Sequence, residues 1–129
     1  MDQRKAVSPA AIPLNTQGGV AFGHFTVGSN SWTVSRLIAL SKDLPVFDMP
    51  ICGLDLTGTN VAVADIVSLA EHAKRVQDAD LSYPIILDYR GRLMDGYHRI
   101  AKALILCRTT IRTVRFTEYV APCRTDADE

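Results

Sequence analysis

The sequence predicts a small α+β domain built around a mixed sheet. Helix-period apolar stripes alternate along the chain with short, β-branched apolar runs. One such run, Ile85-Ile86-Leu87, and the returning segment Arg92-Leu93-Met94 flank Asp88-Tyr89-Arg90-Gly91, in which Gly91 can supply the positive φ of a hairpin turn. The element order is helix, strand, helix, hairpin, helix, strand, which fits helices packed on one small sheet.

Composition narrows the class. A chain of 129 residues, 47% hydrophobic and 22% charged, is an ordinary globular domain with one core. Lys and Arg total 14 and so do Asp and Glu, so no global field draws the chain onto nucleic acid or an acidic membrane, and only a local basic patch stays open. Cys52, Cys107 and Cys123 are odd in number and form no CxxC pair. A disulfide framework or a zinc knuckle is therefore not expected, and reduced thiols suit a cytoplasm. The start, MDQRKAVSPAAIPLN, lacks the apolar core of a secretory signal, and no apolar run reaches membrane length. A cytoplasmic protein without membrane partners is the expectation.

The elements follow in order. Residues 1–24 read as a loose arm with a short strand over 20–27. Ser31 caps a helix from Trp32 to Ser41, with Val34, Leu37, Ile38 and Ser41 at helical spacing and Trp32 anchoring it on the core. Pro45 and Pro50 mark PVFDMPICGLDL as an edge or irregular strand. A helix over 61–77 carries the stripe Val63, Ile66, Val67, Ala70, Ala73 and Val76, leaving Asp65, Glu71, Lys74 and Arg75 for water. After the hairpin, a helix from Tyr97 to Leu106 presents Ile100, Ala101, Leu104 and Ile105, and 109–116 forms the last strand. These runs divide the chain into an N-terminal arm with an accessory helix (1–43), the domain proper (44–116) and a tail (117–129).

The chemistry concentrates in Asp95-Gly96-Tyr97-His98-Arg99, where a strand turns into a helix. The first amides of a helix lack internal partners and sit in its positive dipole field, which suits an anion. Gly96 admits a close backbone approach, and His98 and Arg99 add donors for phosphate oxygens, Arg99 bidentately. Asp95 can cap the helix or hold Mg²⁺ beside the phosphates.

The stretch ADLSYPIILDYRGRLMDGYHRIAKALILCRTTIRTVRF resembles the ParB/sulfiredoxin-like superfamily. In that family a helix leads into a Pro-Ile strand, a hairpin, a G-x-[HR]-R helix start and a final strand. Leu54-Asp55-Leu56 and the 61–77 helix fit the family's first strand and first helix, so the likeness spans about residues 44–116. It implies a hairpin feeding a phosphate-binding helix N-terminus, with Gly96, Tyr97, His98 and Arg99 on the phosphates of ATP, ADP or another nucleotide. Sulfiredoxins carry a nucleophilic Cys before the His-Arg pair; Tyr97 stands there, so that activity is not expected. ParB proteins carry a Gly-Glu-Arg-Arg type of motif, bind CTP and continue into a helix-turn-helix domain. This chain shows no such continuation, and centromere partitioning is not expected. Free serine kinases of this fold carry Asp-Gly-x-His-Arg, which Asp95, Gly96, His98 and Arg99 match. Those kinases also use a glutamate near the end of the first strand, where Asp55 is the one carboxylate here.

The resemblance therefore implies a nucleotide-phosphate-binding protein acting as an ATP-dependent phosphotransferase or nucleotide hydrolase. Asp95, His98 and Asp55 are its candidate catalytic groups, Asp95 its candidate Mg²⁺ ligand, and a small molecule its phosphate acceptor. The alternative is a non-catalytic module whose pocket takes a nucleotide or other anion to control a protein or nucleic-acid partner. Nuclease activity ranks third, for want of clustered carboxylates. Asp55 discriminates: within reach of the phosphate pocket it supports catalysis, away from it the binding module. Blander readings stand beside these. His72 is a surface or packing residue unless it faces the phosphates, and His24 is a loop residue. Tyr83 is a core plug or stacks on a base, as Tyr89 can. Cys107 packs as a small apolar residue. Arg90, Arg92, Arg99, Arg108, Arg112 and Arg115 form a solvated basic face or, as the minority reading, a nucleic-acid groove.

Overall fold

The structure, a computed structural model, describes residues 11–15, 24–59 and 61–123. Among these the chain forms three α-helices, a two-stranded hairpin and a four-stranded mixed sheet, so the α+β class holds. No described helix is long and apolar enough to cross a membrane. The strand expected over 20–27 is seen as β1, His24–Val27; residues 20–23, most of the N-terminal arm and the end of the tail lie outside the described residues.

β1 pairs with β2, Asn30–Thr33, around Gly28 at φ +59°. This hairpin corrects the expected first helix. Ser31 and Trp32 lie in β2, with Trp32 opposite Phe25, and Thr33 is the cap that accepts from Arg36 N at 3.4 Å. α1 therefore runs Val34–Ser41. Burial of the indole decides the matter: Trp32 is 4% exposed, its ring centre lies 5.5 Å from that of Phe25, and Nε1 donates to Val120 O at 2.8 Å. A helical Trp32 would forfeit the strand pairing that holds it there.

The main sheet has the order β3-β6-β4-β5. β3, Phe47–Pro50, is its edge and runs antiparallel to β6, Thr110–Arg115; β6 is parallel to β4, Ile85–Leu87, which is antiparallel to β5, Leu93–Asp95. Strand alternation splits the core in two. Ile85, Leu87, Leu93 and Ile111 face Ile100 and Ala103 of α3, Tyr97–Ile105. Ile86, Met94 and Val114 face Trp32, Leu37 and Phe116 on the other side. A strand buried on both faces reads as an unbroken apolar run, which is why Ile85-Ile86-Leu87 was legible.

Asp88 closes the β4–β5 turn. It is buried, with Oδ1 accepting from Arg90 N and Arg92 N at 2.9 and 2.7 Å and Oδ2 accepting from Arg92 Nε at 2.7 Å. Gly91 there sits at φ +86° as expected.

Elsewhere the expectations need correction. Leu54-Asp55-Leu56 is not a strand: Pro50 ends the ladder, Ile51–Gly53 form a 3-10 turn, and residues 54–56 are irregular. α2 runs Ile66–Asp78 rather than 61–77, because Asp65 caps it by accepting from Ser68 N at 2.8 Å. Its apolar stripe is only partly its covered face. No α2 residue is buried; Val63, Ile66, Val67 and Ala73 of the stripe are exposed, and Ala70 and Val76 are half-buried together with Glu71, His72 and Arg75. Polar bonds set this rotation: Asn15 N donates to Glu71 Oε2 at 2.6 Å, Arg75 Nη2 donates to Asn15 O at 2.6 Å, and Lys102 of α3 donates to Gln77 O and Ala79 O at the helix C-terminus. Leu104 and Ile105 are likewise exposed, as is Tyr83. Cys107 is exposed at φ +57°, where the chain turns out of α3, and does not pack as an apolar residue.

Gly96 fixes where α3 meets the sheet. At φ +118° and buried, it lies so close to β4 that an added Cβ would stand 2.8 Å from Ile85 Cβ and 3.2 Å from Ile85 Cα. The expected close backbone approach is thus to Ile85. Left-handed strain and overpacking add here, so Gly96→Ala is expected to lose about 2–4 kcal/mol of stability. Gly58, at φ +75° with open space around it, should lose about 1 kcal/mol on the same change. Urea denaturation of both variants checks the contrast, and equal losses would refute the packing role of Gly96.

Candidate functional site

Strand β5 delivers Asp95 and Gly96 to the start of α3, where the sequence places its anion site. Gly96 is the N-cap and has no side chain to bond the first-turn amides, so the helix presents its positive end uncapped. Beside it lies a cleft of about 340 Å³. Phe25 and Thr26 of β1, Ala62, His72 of α2, and Tyr97 and His98 of α3 line it. Beyond Tyr97 it borders a second hollow of about 170 Å³ with walls of Leu56, Leu93, Ile100 and Leu104.

The structure turns Arg99 away from the expected clamp. Its side chain is 7% exposed; Nη2 donates to Asp95 Oδ2 at 2.6 Å and Nη1 to Pro84 O at 2.7 Å. The guanidinium ties the helix start to both strands of the hairpin and has its fork already engaged. Asp95 is engaged in turn, through Arg99 and the Gly96 N–H. Burial raises the Asp95 carboxyl above its ordinary value, and the pull of Arg99 and of that amide offsets part of the rise.

Among the described residues no group of three or more His, Cys, Asp or Glu side chains could hold a metal ion. A single carboxylate bonded to a guanidinium does not fit Mg²⁺, which takes carboxylate oxygens free of such a partner. Asp55 does not line the cleft. It is exposed and closes a small turn, with Oδ1 accepting from Thr57 N at 3.0 Å; the Thr57 hydroxyl, then its amide, lowers the Asp55 carboxyl from its ordinary value.

His98 does face the cleft, and it brings a partner the sequence left as a packing residue. His98 Nε2 lies 2.9 Å from His72 Nδ1, and His72 Nε2 lies 2.9 Å from Ala62 O. The ring planes differ by 19° and the ring centres stand 5.2 Å apart. Nitrogens this close with centres this far apart mean imidazoles joined edge to edge, not stacked face to face. Burial lowers the His98 pKa from its ordinary value, and the neighbouring His72, Arg75 and Arg99 lower it further. Periodicity hid His72 because α2 docks through its polar side.

The arginines do not line the cleft: Arg90, Arg92 and Arg115 gather around the β4–β5 turn, where Arg90 Nε donates to Tyr89 OH at 3.0 Å. Arg92 is bonded to Asp88, Arg99 is buried, Arg115 Nη2 donates to Tyr89 O at 2.8 Å, and Arg108 and Arg112 border a separate hollow with Asp48.

Comparisons with protein-family models, with curated proteins and with solved structures return no match to this chain.

Two outcomes follow. Arg99→Ala strands Asp95 without its cation and should lose on the order of 3–5 kcal/mol of stability, read by urea denaturation; a loss under about 1 kcal/mol, the scale of a surface pair, would show the pair to be peripheral. His98, with its pKa lowered on folding, holds fewer protons folded than unfolded. Its contribution is present above the unfolded value and lost as pH falls. Melting temperature should therefore drop between about pH 7 and pH 5, and His98→Gln should flatten that drop.

Proposed function

We propose that the chain is a ParB/sulfiredoxin-like module that binds a nucleotide through its phosphates. The single observation that carries this is the cleft at the uncapped start of α3, lined by two imidazoles and, among the described residues, by no carboxylate. Oriented amides, the helix dipole and a protonatable His98 are the means by which proteins hold phosphate oxygens without a metal. The apolar hollow beyond Tyr97 offers a seat for the nucleoside, with the phosphates toward His98. The Asp-Gly-x-His-Arg resemblance supports the same placement, with Tyr97 and His98 on the ligand and Gly96, Arg99 and Asp95 holding the helix start beneath it.

Binding without phosphotransfer is the version favoured. Asp95 is spent on Arg99 and Asp55 on Thr57, and neither lines the cleft. A kinase or nuclease at this place would need a carboxylate base or a metal held by carboxylates. No arginine lines the cleft, which also favours a small anion there over a nucleic-acid strand.

Titration calorimetry and thermal shift with ADP, ATP and CTP test the proposal. Saturation at a hundredfold over Kd should add about 2.7 kcal/mol of stability. His98→Ala should weaken binding by about 10- to 100-fold, the worth of one charge-assisted hydrogen bond. Absence of any shift with all three nucleotides would refute nucleotide binding, and turnover of ATP by the purified chain would overturn its non-catalytic form.

A further inference from the structure

The histidine pair has a consequence that rests on the proposed anion site and goes beyond it. A carbonyl oxygen only accepts, so the 2.9 Å contact with Ala62 O requires a proton on His72 Nε2. In a neutral ring that leaves His72 Nδ1 as an acceptor, and the 2.9 Å bond to it requires a proton on His98 Nε2. Neutral His98 therefore carries a bare lone pair on Nδ1, for which the described residues offer no partner. A bare lone pair repels an oxyanion. One added proton changes this. Whether the charge is drawn on His98 or on His72, three N–H groups result: one to Ala62, one between the rings, and one on His98 Nδ1. A second proton would set two N–H groups against each other and break the bond.

We propose that His72 is a positioning residue that fixes the tautomer of His98, so that the cleft takes up an oxyanion together with one proton. Other charges near the pair come from each packed element. Arg75 on α2 and Arg99 on α3 disfavour a positive charge on His98, as burial and His72 also do. Asp95 on β5 is bonded to Arg99, Glu71 to Asn15 N, and Asp65 to Ser68 N, so none of these carboxylates is bonded to either imidazole. The anion is thus the group that favours the added proton.

The test is calorimetric titration of the full chain with ADP at pH 7.5 in buffers of different ionisation enthalpy. Wild type should take up about one proton per ADP, and its affinity should fall about tenfold per pH unit above neutrality. In His72→Phe the His98 Nε2 no longer needs its proton. The neutral ring can then carry the proton on Nδ1 and donate to the anion, so proton uptake should fall toward zero and the affinity should level with pH. His72→Gln should restore the uptake, since its amide can accept from His98 and donate to Ala62 without titrating. Nitrogen-15 spectra of the ligand-free wild type should show both rings protonated on Nε2. ADP binding without proton uptake, or a free His98 protonated on Nδ1, would overturn this inference and leave the anion site standing. No heat from ADP or from inorganic phosphate would overturn both.

Discussion

Everything about the candidate site depends on how α3 is pinned at its start. Arg99 is drawn inward onto Asp95 and the Pro84 carbonyl, while Gly96 lets the backbone settle against Ile85. Burying a guanidinium is unfavourable unless its donors and charge are met, and here a carboxylate and a carbonyl meet them at 2.6 and 2.7 Å. The result is a helix whose first turn is fixed in place by buried contacts on one side. Tyr97 and His98 are left on the other, where they line the cleft. A motif that reads as a ligand-gripping set thus divides into an anchoring half and an open half.

The division was only partly legible beforehand. The hairpin, the strand over 85–87 and the helix start beside Gly96 followed from turn chemistry and from an apolar run too short and β-branched for a helix. Those are local signals. Side-chain direction within the motif is not local: Asp95 and Arg99 are four residues apart, and the Pro84 carbonyl, 15 residues away, takes the other arm of the guanidinium as it folds back. Trp32 shows the same limit. Its helical spacing with later residues was genuine, yet a pairing partner at Phe25 and a carbonyl at Val120 placed it in a strand. Asp65, placed on the water face of a 61–77 helix, is instead the cap, and the helix begins where its carboxylate can take the Ser68 amide.

The most instructive miss is α2. Counting apolar residues at helical spacing assumes that a helix docks by its greasy side. This one docks by Glu71, His72 and Arg75, through backbone groups of residues 15 and 62 that no periodicity can foresee. The bonds of His72 escaped the sequence for the same reason. Its partners are 10 and 26 residues away in sequence.

That mode of docking bears on motion. A helix with no buried residue has little apolar area to return to water when it lifts away. Polar contacts, part of them half-buried, hold it, and segments with few buried apolar contacts sit at the low end of a protein's ladder of local unfolding energies. Less apolar burial therefore holds α2 than holds the sheet and α3, and any displacement of it would part His72 from His98 across the cleft they line.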